Sequence, residues 1–89
     1  MNKQKHKWSK TDDFVAFYLY KHGSKNDIEL VALKVGIKVN SLKMRIKNYE
    51  FLANRKGLSN FSKQSKFTYD FWKDSNINEL NTEYKKIIP

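Results

Sequence analysis

At 89 residues the chain is long enough for one small domain with one modest core, and its 39% hydrophobic and 15% aromatic content is too high for a disordered tail. Eighteen Lys and Arg against nine Asp and Glu give a formal charge of +9, and the absence of cysteine excludes disulfides and Cys-based zinc sites. Three Gly and one Pro favour helices over a turn-rich β fold. No apolar run approaches the roughly 18–20 residues that cross a bilayer, and the opening MNKQKHKW is basic with no apolar stretch behind it, so neither a membrane span nor a signal peptide is expected.

Thr11-Asp12-Asp13 reads as a helix start, a hydroxyl cap followed by two carboxylates near the positive helix end. Phe14, Phe17 and Tyr18 then share one helical stripe, with Val15 and Leu19 beside it, and Trp8 is expected to pack over this helix. Gly23 ends it, behind Lys21 and His22. Asn26-Asp27 caps a second helix in which Ile28, Val31, Ala32 and Val35 follow i, i+3, i+4, i+7. Gly36 stops that helix. A third is expected at about 39–53, with Leu42, Ile46, Tyr49 and either Phe51 or Leu52 inward.

Residues 54–66 read as a basic loop with one buried anchor, Leu58 or Phe61. A short helix follows with Phe67, Phe71 and Trp72 as its apolar content. A last helix carries Ile77, Leu80, Tyr84 and Ile87 or Ile88 at helical spacing, with Lys85-Lys86 near its C-terminal end. The expected class is therefore all-α: a three-helix core (8–53) with one or two additional C-terminal helices (67–89), preceded by a basic arm (1–7).

The charge is uneven. Residues 1–29 hold six basic and four acidic side chains, residues 30–66 nine and one, and residues 67–89 three and four. A one-sign stretch of this kind attracts polyanions such as nucleic acid. An anionic membrane surface would need, in addition, an amphipathic helix with one apolar face left uncovered.

The stretch ALKVGIKVNSLKMRI (32–46) has the spacing of a helix-turn-helix. Ala32 supplies the small residue where two helices cross. Gly36, four residues on, lets the chain leave the helix through positive φ. Leu42, six further, anchors the second helix, with Ile46 one turn on and Ile37 filling the turn. Ala-x3-Gly alone is common on amphipathic helices, and the basic middle third strengthens it. Lys38 stands where Ser or Thr often caps the second helix, and Asn40 could cap instead, starting the helix late.

Between the anchors lie Asn40, Ser41, Lys43, Met44, Arg45, Lys47 and Asn48, which include long donors and amides suited to a major groove. Arg45 and Lys43 are the expected base or near-base contacts. Lys34, Lys38, Lys47, Arg55, Lys56 and Lys63 are the expected phosphate contacts. The predicted partner is double-stranded DNA.

The segment VALKVGIKVNSLKMRI resembles the helix-turn-helix of sigma-factor region 4 and related regulators. Over about residues 8–75 the chain is also similar to the N-terminal domain found ahead of HNH modules in bacterial restriction-type endonucleases. The matching positions are Trp8, Gly36, Ser41, Leu42, Met44, Arg45, Ile46, Asn48 and Gly57-Leu58-Ser59. The resemblance implies a DNA-recognition domain of bacterial type, and the lack of cysteine and of a signal peptide fits the expected cytoplasmic location of a bacterial or phage protein. Ile37-Lys38 departs from the family's Arg-Thr after the turn glycine, so a phosphate contact would pass to Lys38.

No HNH module is present, and the two histidines, His6 and His22, are expected to be solvated. The chain is thus not expected to be an enzyme, to hold a metal or to need a cofactor. A nuclease module belonging to a longer parent chain is compatible with this. Asp12-Asp13 are accounted for as helix-start charges, and Asp70, Asp74, Glu79 and Glu83 as a solvated face. Among the aromatics interleaved with basic residues, Trp72 is the one expected to be exposed. Lys3, Lys5, His6 and Lys7 form either a frayed tail or a groove-reaching arm.

Two other functions suit the same frame. A small phage- or plasmid-type protein could bind or inhibit a host protein, or form a homodimer, through the C-terminal helix. A dimeric transcriptional regulator would read two half-sites.

Overall fold

The computed structural model describes residues 7–23 and 25–88, apart from the Lys25 side chain. The described residues form five helices and no strand: α1 (Lys10–His22), α2 (Lys25–Val35), α3 (Val39–Asn54), α4 (Lys63–Trp72) and α5 (Ile77–Ile87). The all-α expectation holds. Lys3, Lys5 and His6 of the basic arm lie outside the described residues.

The centre of the fold is α1. Its run from Asp13 to Phe17 is buried without interruption, and Leu19 is buried too. A helix with apolar residues around most of its circumference must be covered on several sides. Accordingly α2, α3, α4 and α5 all pack on α1, while α3 also packs on α2 and α4. Phe17 meets the ring of Tyr49 edge-on at 5.6 Å and that of Tyr69 at 6.1 Å, joining α1, α3 and α4.

The helix starts differ from the sequence reading in instructive ways. The cap of α1 is Ser9, not Thr11: its hydroxyl accepts the Asp12 N–H at 3.0 Å and the Asp12 carboxylate accepts the Ser9 N–H at 3.1 Å. This reciprocal box satisfies two otherwise orphaned donors and places Asp13 one step inside the helix, facing the core. Asp13 lies in the first turn, as expected, but is fully buried. The second helix begins at Lys25, ahead of Asn26. The third begins at Val39 with Lys38 as a cap that makes no side-chain hydrogen bond, and Asn40 lies inside the first turn instead of capping it.

The expected 54–66 loop is shorter than the sequence suggested. Asn54 is still helical, and α4 starts at Lys63 because the Ser62 hydroxyl accepts the Ser65 N–H at 3.0 Å. The inward positions of α4 are Ser65 and Thr68, with Tyr69 and Trp72 half-buried. Phe67 and Phe71 therefore face out, and Trp72, expected to be exposed, packs on Phe14 at 4.7 Å.

Capped by an Asn76–Glu79 box, α5 closes over α1. Leu80 is fully buried, Tyr84 stacks on Tyr18 at 3.9 Å, and the Tyr18 hydroxyl donates to Asn81. Ile87 and Ile88 also pack against the core, which leaves Ile77 as the exposed large apolar residue of this helix. Among the described residues no helix is long and apolar enough to cross a membrane.

Candidate nucleic-acid interface

The connection between α2 and α3 is three residues long. Gly36 adopts φ +75°, and the N–H groups of Gly36 and Ile37 both donate to the Ala32 carbonyl, at 2.9 and 3.0 Å. This closes the end of α2 while turning the chain sharply. Ala32, Ile37 and Leu42 are all buried, so the small residue, the turn filler and the anchor lie in the core together.

With Leu42 and Tyr49 fixed inward, the helical period decides what α3 shows to solvent. Asn40, Lys43, Met44 and Lys47 follow i, i+3, i+4, i+7 and all are exposed, Met44 at 53%. Lys34 at the end of α2, Lys38 in the turn, and Arg55 and Lys56 after α3 are exposed as well, the Arg55 guanidinium lying 5.2 Å from the Phe51 ring centroid. Ser41 is half-buried at the flank of the strip, and Lys63 is exposed at the start of α4. The one acidic residue between positions 30 and 66, Glu50, is half-buried. The strip is therefore a polar and cationic ridge with one flexible apolar side chain in it.

Two residues expected to face a groove do not. Arg45 points into the protein: its Nε and Nη2 donate to the two oxygens of Asp13, each at 2.8 Å, and its side chain keeps only 14% exposure. Its guanidinium lies 4.3 Å from the Trp8 ring centroid. Arg45 lies three residues after Leu42 and four before Tyr49, on the flank of the buried face, and the buried carboxylate draws it in. Asn48 is buried because the loop after α3 folds back over it. Its amide donates to the Leu58 carbonyl at 3.0 Å, and the Leu58 N–H donates to the Lys47 carbonyl at 3.2 Å.

Around Asp13 the network is complete. Besides Arg45, the carboxylate accepts from the Tyr49 hydroxyl at 2.6 Å, the Gln64 amide at 2.6 Å and the Ser65 hydroxyl at 3.0 Å. Burial pushes the Asp13 carboxyl up, but the hydrogen bonds from Arg45, Tyr49 and Gln64 and the Arg45 charge together outweigh it and hold the group below its ordinary value. Every buried side-chain polar atom among the described residues has a partner. The network ties α1, α3 and α4 together and fixes α3 against α1. Sequence reading missed it because Asp13 resembled a helix-start charge. The available signal was its position directly ahead of an unbroken apolar run.

Among the described residues no group of three His, Cys, Asp or Glu side chains is placed to hold a metal ion. His22 is exposed at the end of α1, and His6 lies outside the described residues. Comparison with protein-family models, with curated proteins and with solved structures returns no match to this chain.

Proposed function

We propose that the chain binds double-stranded DNA through a helix-turn-helix formed by α2, the Gly36 turn and α3, as a recognition domain or as a stand-alone DNA-binding protein. The observation that carries this reading is the exposed ridge of α3, Asn40, Lys43, Met44 and Lys47 on one face, together with the exposed cations Lys34, Lys38, Arg55 and Lys56 at the neighbouring helix ends and turn. A major groove admits an α-helix, and the cations of this one are opposite in charge to its phosphate walls. Lys43 and Asn40 are the base-edge candidates, Met44 offers an apolar contact, and the neighbouring cations hold phosphates. Arg45 and Asn48 are removed from the contact set and act as supports.

The test is fluorescence anisotropy with a labelled mixed-sequence duplex between about 50 and 200 mM salt. The native chain should bind with a steep negative salt slope. Lys43→Ala with Lys47→Ala should weaken binding and flatten the slope by about one, the share of a phosphate contact at Lys47, while loss of the base-edge contact at Lys43 relaxes sequence preference. Absence of binding at low salt, or an unchanged slope in the double variant, would overturn the reading.

A further inference from the structure

A groove of about 230 Å³ opens between α1 and α4, lined by Lys10, Phe67, Thr68, Phe71 and Trp72. Phe67 and Phe71 are 60% and 65% exposed, one helical turn apart, with ring centroids 6.3 Å apart and planes within 19° of parallel. Trp72 meets Phe71 edge-on at 5.1 Å and is itself anchored on Phe14. The Lys10 ammonium lies 5.9 Å from the Phe67 centroid. Packing does not account for the two exposed rings. The inward face of α4 is already occupied by Ser65, Thr68, Tyr69 and Trp72, and two large side chains left in water contribute nothing to the core.

We propose that this groove takes an unpaired nucleobase of a single strand, which stacks on Phe67 and Phe71 while an adjoining phosphate meets Lys10. Parallel aromatic faces beside cations are the combination that holds single strands, since every base has a π face and every linkage a negative charge. The surroundings favour this occupant over a second copy of the chain. Lys63 and Lys66 are exposed on the same helix as the two rings, and two like copies would bring their lysines together, although Asp70 pairs with Lys66. A groove lined by five residues also falls well short of the roughly 800 Å² per partner of a stable interface. The site goes beyond the duplex reading and does not depend on the α3 ridge.

The test uses a labelled oligothymidylate of about a dozen nucleotides, read by anisotropy beside the duplex probe. Four proteins are compared: the native chain, Phe67→Leu with Phe71→Leu, Phe67→Tyr with Phe71→Tyr, and Lys43→Ala with Lys47→Ala. Leucine keeps apolar bulk without a π face, and both positions are exposed, so melting followed by circular dichroism should match the native chain. The leucine variant should bind the single strand at least roughly tenfold more weakly and the duplex as the native chain does. The tyrosine variant should bind both as before, and the lysine variant should bind the duplex more weakly while keeping the single strand. The proposal is overturned if the native chain does not bind oligothymidylate, or if the leucine variant binds it unchanged. It is equally overturned if that variant loses single strand and duplex in equal measure. Failure of duplex binding alone would sink the α3 reading and leave this one standing.

Discussion

The Arg45 guanidinium and the Asp13 carboxylate meet through two parallel hydrogen bonds of 2.8 Å, inside a pocket closed by Trp8, Tyr49, Gln64 and Ser65. The pair converts a residue that looks like a DNA contact into the fastening between α1 and α3. Removing one partner strands the other as a buried, unpaired charge. Arg45→Ala should therefore destabilise the protein by about 3–5 kcal/mol. Arg45→Lys, which keeps the charge but loses the planar fork and the stack on Trp8, should cost about 1–3 kcal/mol. Urea denaturation measures both, and a loss below about 0.5 kcal/mol for Arg45→Ala would contradict the role assigned to the pair.

Asp13 also fixes the acid side of the stability profile. Its folded carboxyl titrates below the ordinary value of 3.8. A depressed folded pKa contributes stability that is present above the unfolded value and is lost as pH falls through the folded one. Stability should thus hold above about pH 4 and decline below it. Asp13→Asn should lower stability at neutral pH and remove part of that decline, as denaturation midpoints at several pH values would reveal.

On the alkaline side Tyr49 is the most deeply buried of three tyrosines pushed up, with Tyr20 and Tyr84. Burial pushes the Tyr49 phenol up, and the Asp13 charge and the hydrogen bond to Asp13 push it the same way. A raised folded pKa leaves stability intact below the unfolded value of about 10 and erodes it as pH rises further. Tyr49→Phe should cost about 1.5–3 kcal/mol at neutral pH through the lost hydrogen bond to a charged carboxylate. The same variant should soften the alkaline decline. A decline as steep as the native one would assign it to other tyrosines.

Gly36 and Gly57 differ in what an added methyl would meet. At Gly36 the backbone is left-handed, φ +75°, but nothing lies within 4 Å of the new Cβ. Gly36→Ala should cost only the backbone strain, about 1 kcal/mol. At Gly57, φ +100°, the Cβ would sit 2.5 Å from the Lys47 carbonyl oxygen. Gly57→Ala should cost more, because it also pries the loop from α3 and loosens the Leu58–Asn48 contact. Thermal melts of the two variants should keep that order.

The exposed ridge separates binding from stability. Asn40→Ala and Met44→Ala, at surface positions of α3, should change unfolding free energy by no more than about 0.5 kcal/mol. Their effect should fall on which duplex sequences are preferred, read by site selection. A large stability loss in either would show that these side chains support the fold.

The all-α character of the described residues was written into local chemistry. Apolar residues at helical spacing in α1, α2 and α3, Gly23 and Gly36 as stops, and the Ala32–Gly36–Leu42 spacing are relations over a few turns, and the backbone obeys them directly. The cationic middle third was equally plain, since charge is additive along the chain. Which cations remain in solvent was not. Arg45 and Lys43 are two residues apart on one helix, and only the arrival of Asp13 from 32 positions away separates a buried fastening from an exposed ridge. Asn48 was covered by a loop whose return over α3 depends on Gly57, and Phe67 and Phe71 were turned outward because Ser65 and Thr68 took the inward face of α4. Periodicity in the sequence determined which helices form. The tertiary structure alone decided which polar side chains are used up inside and which aromatic ones are left outside, because burying a charge is favourable only where its partner is brought to meet it.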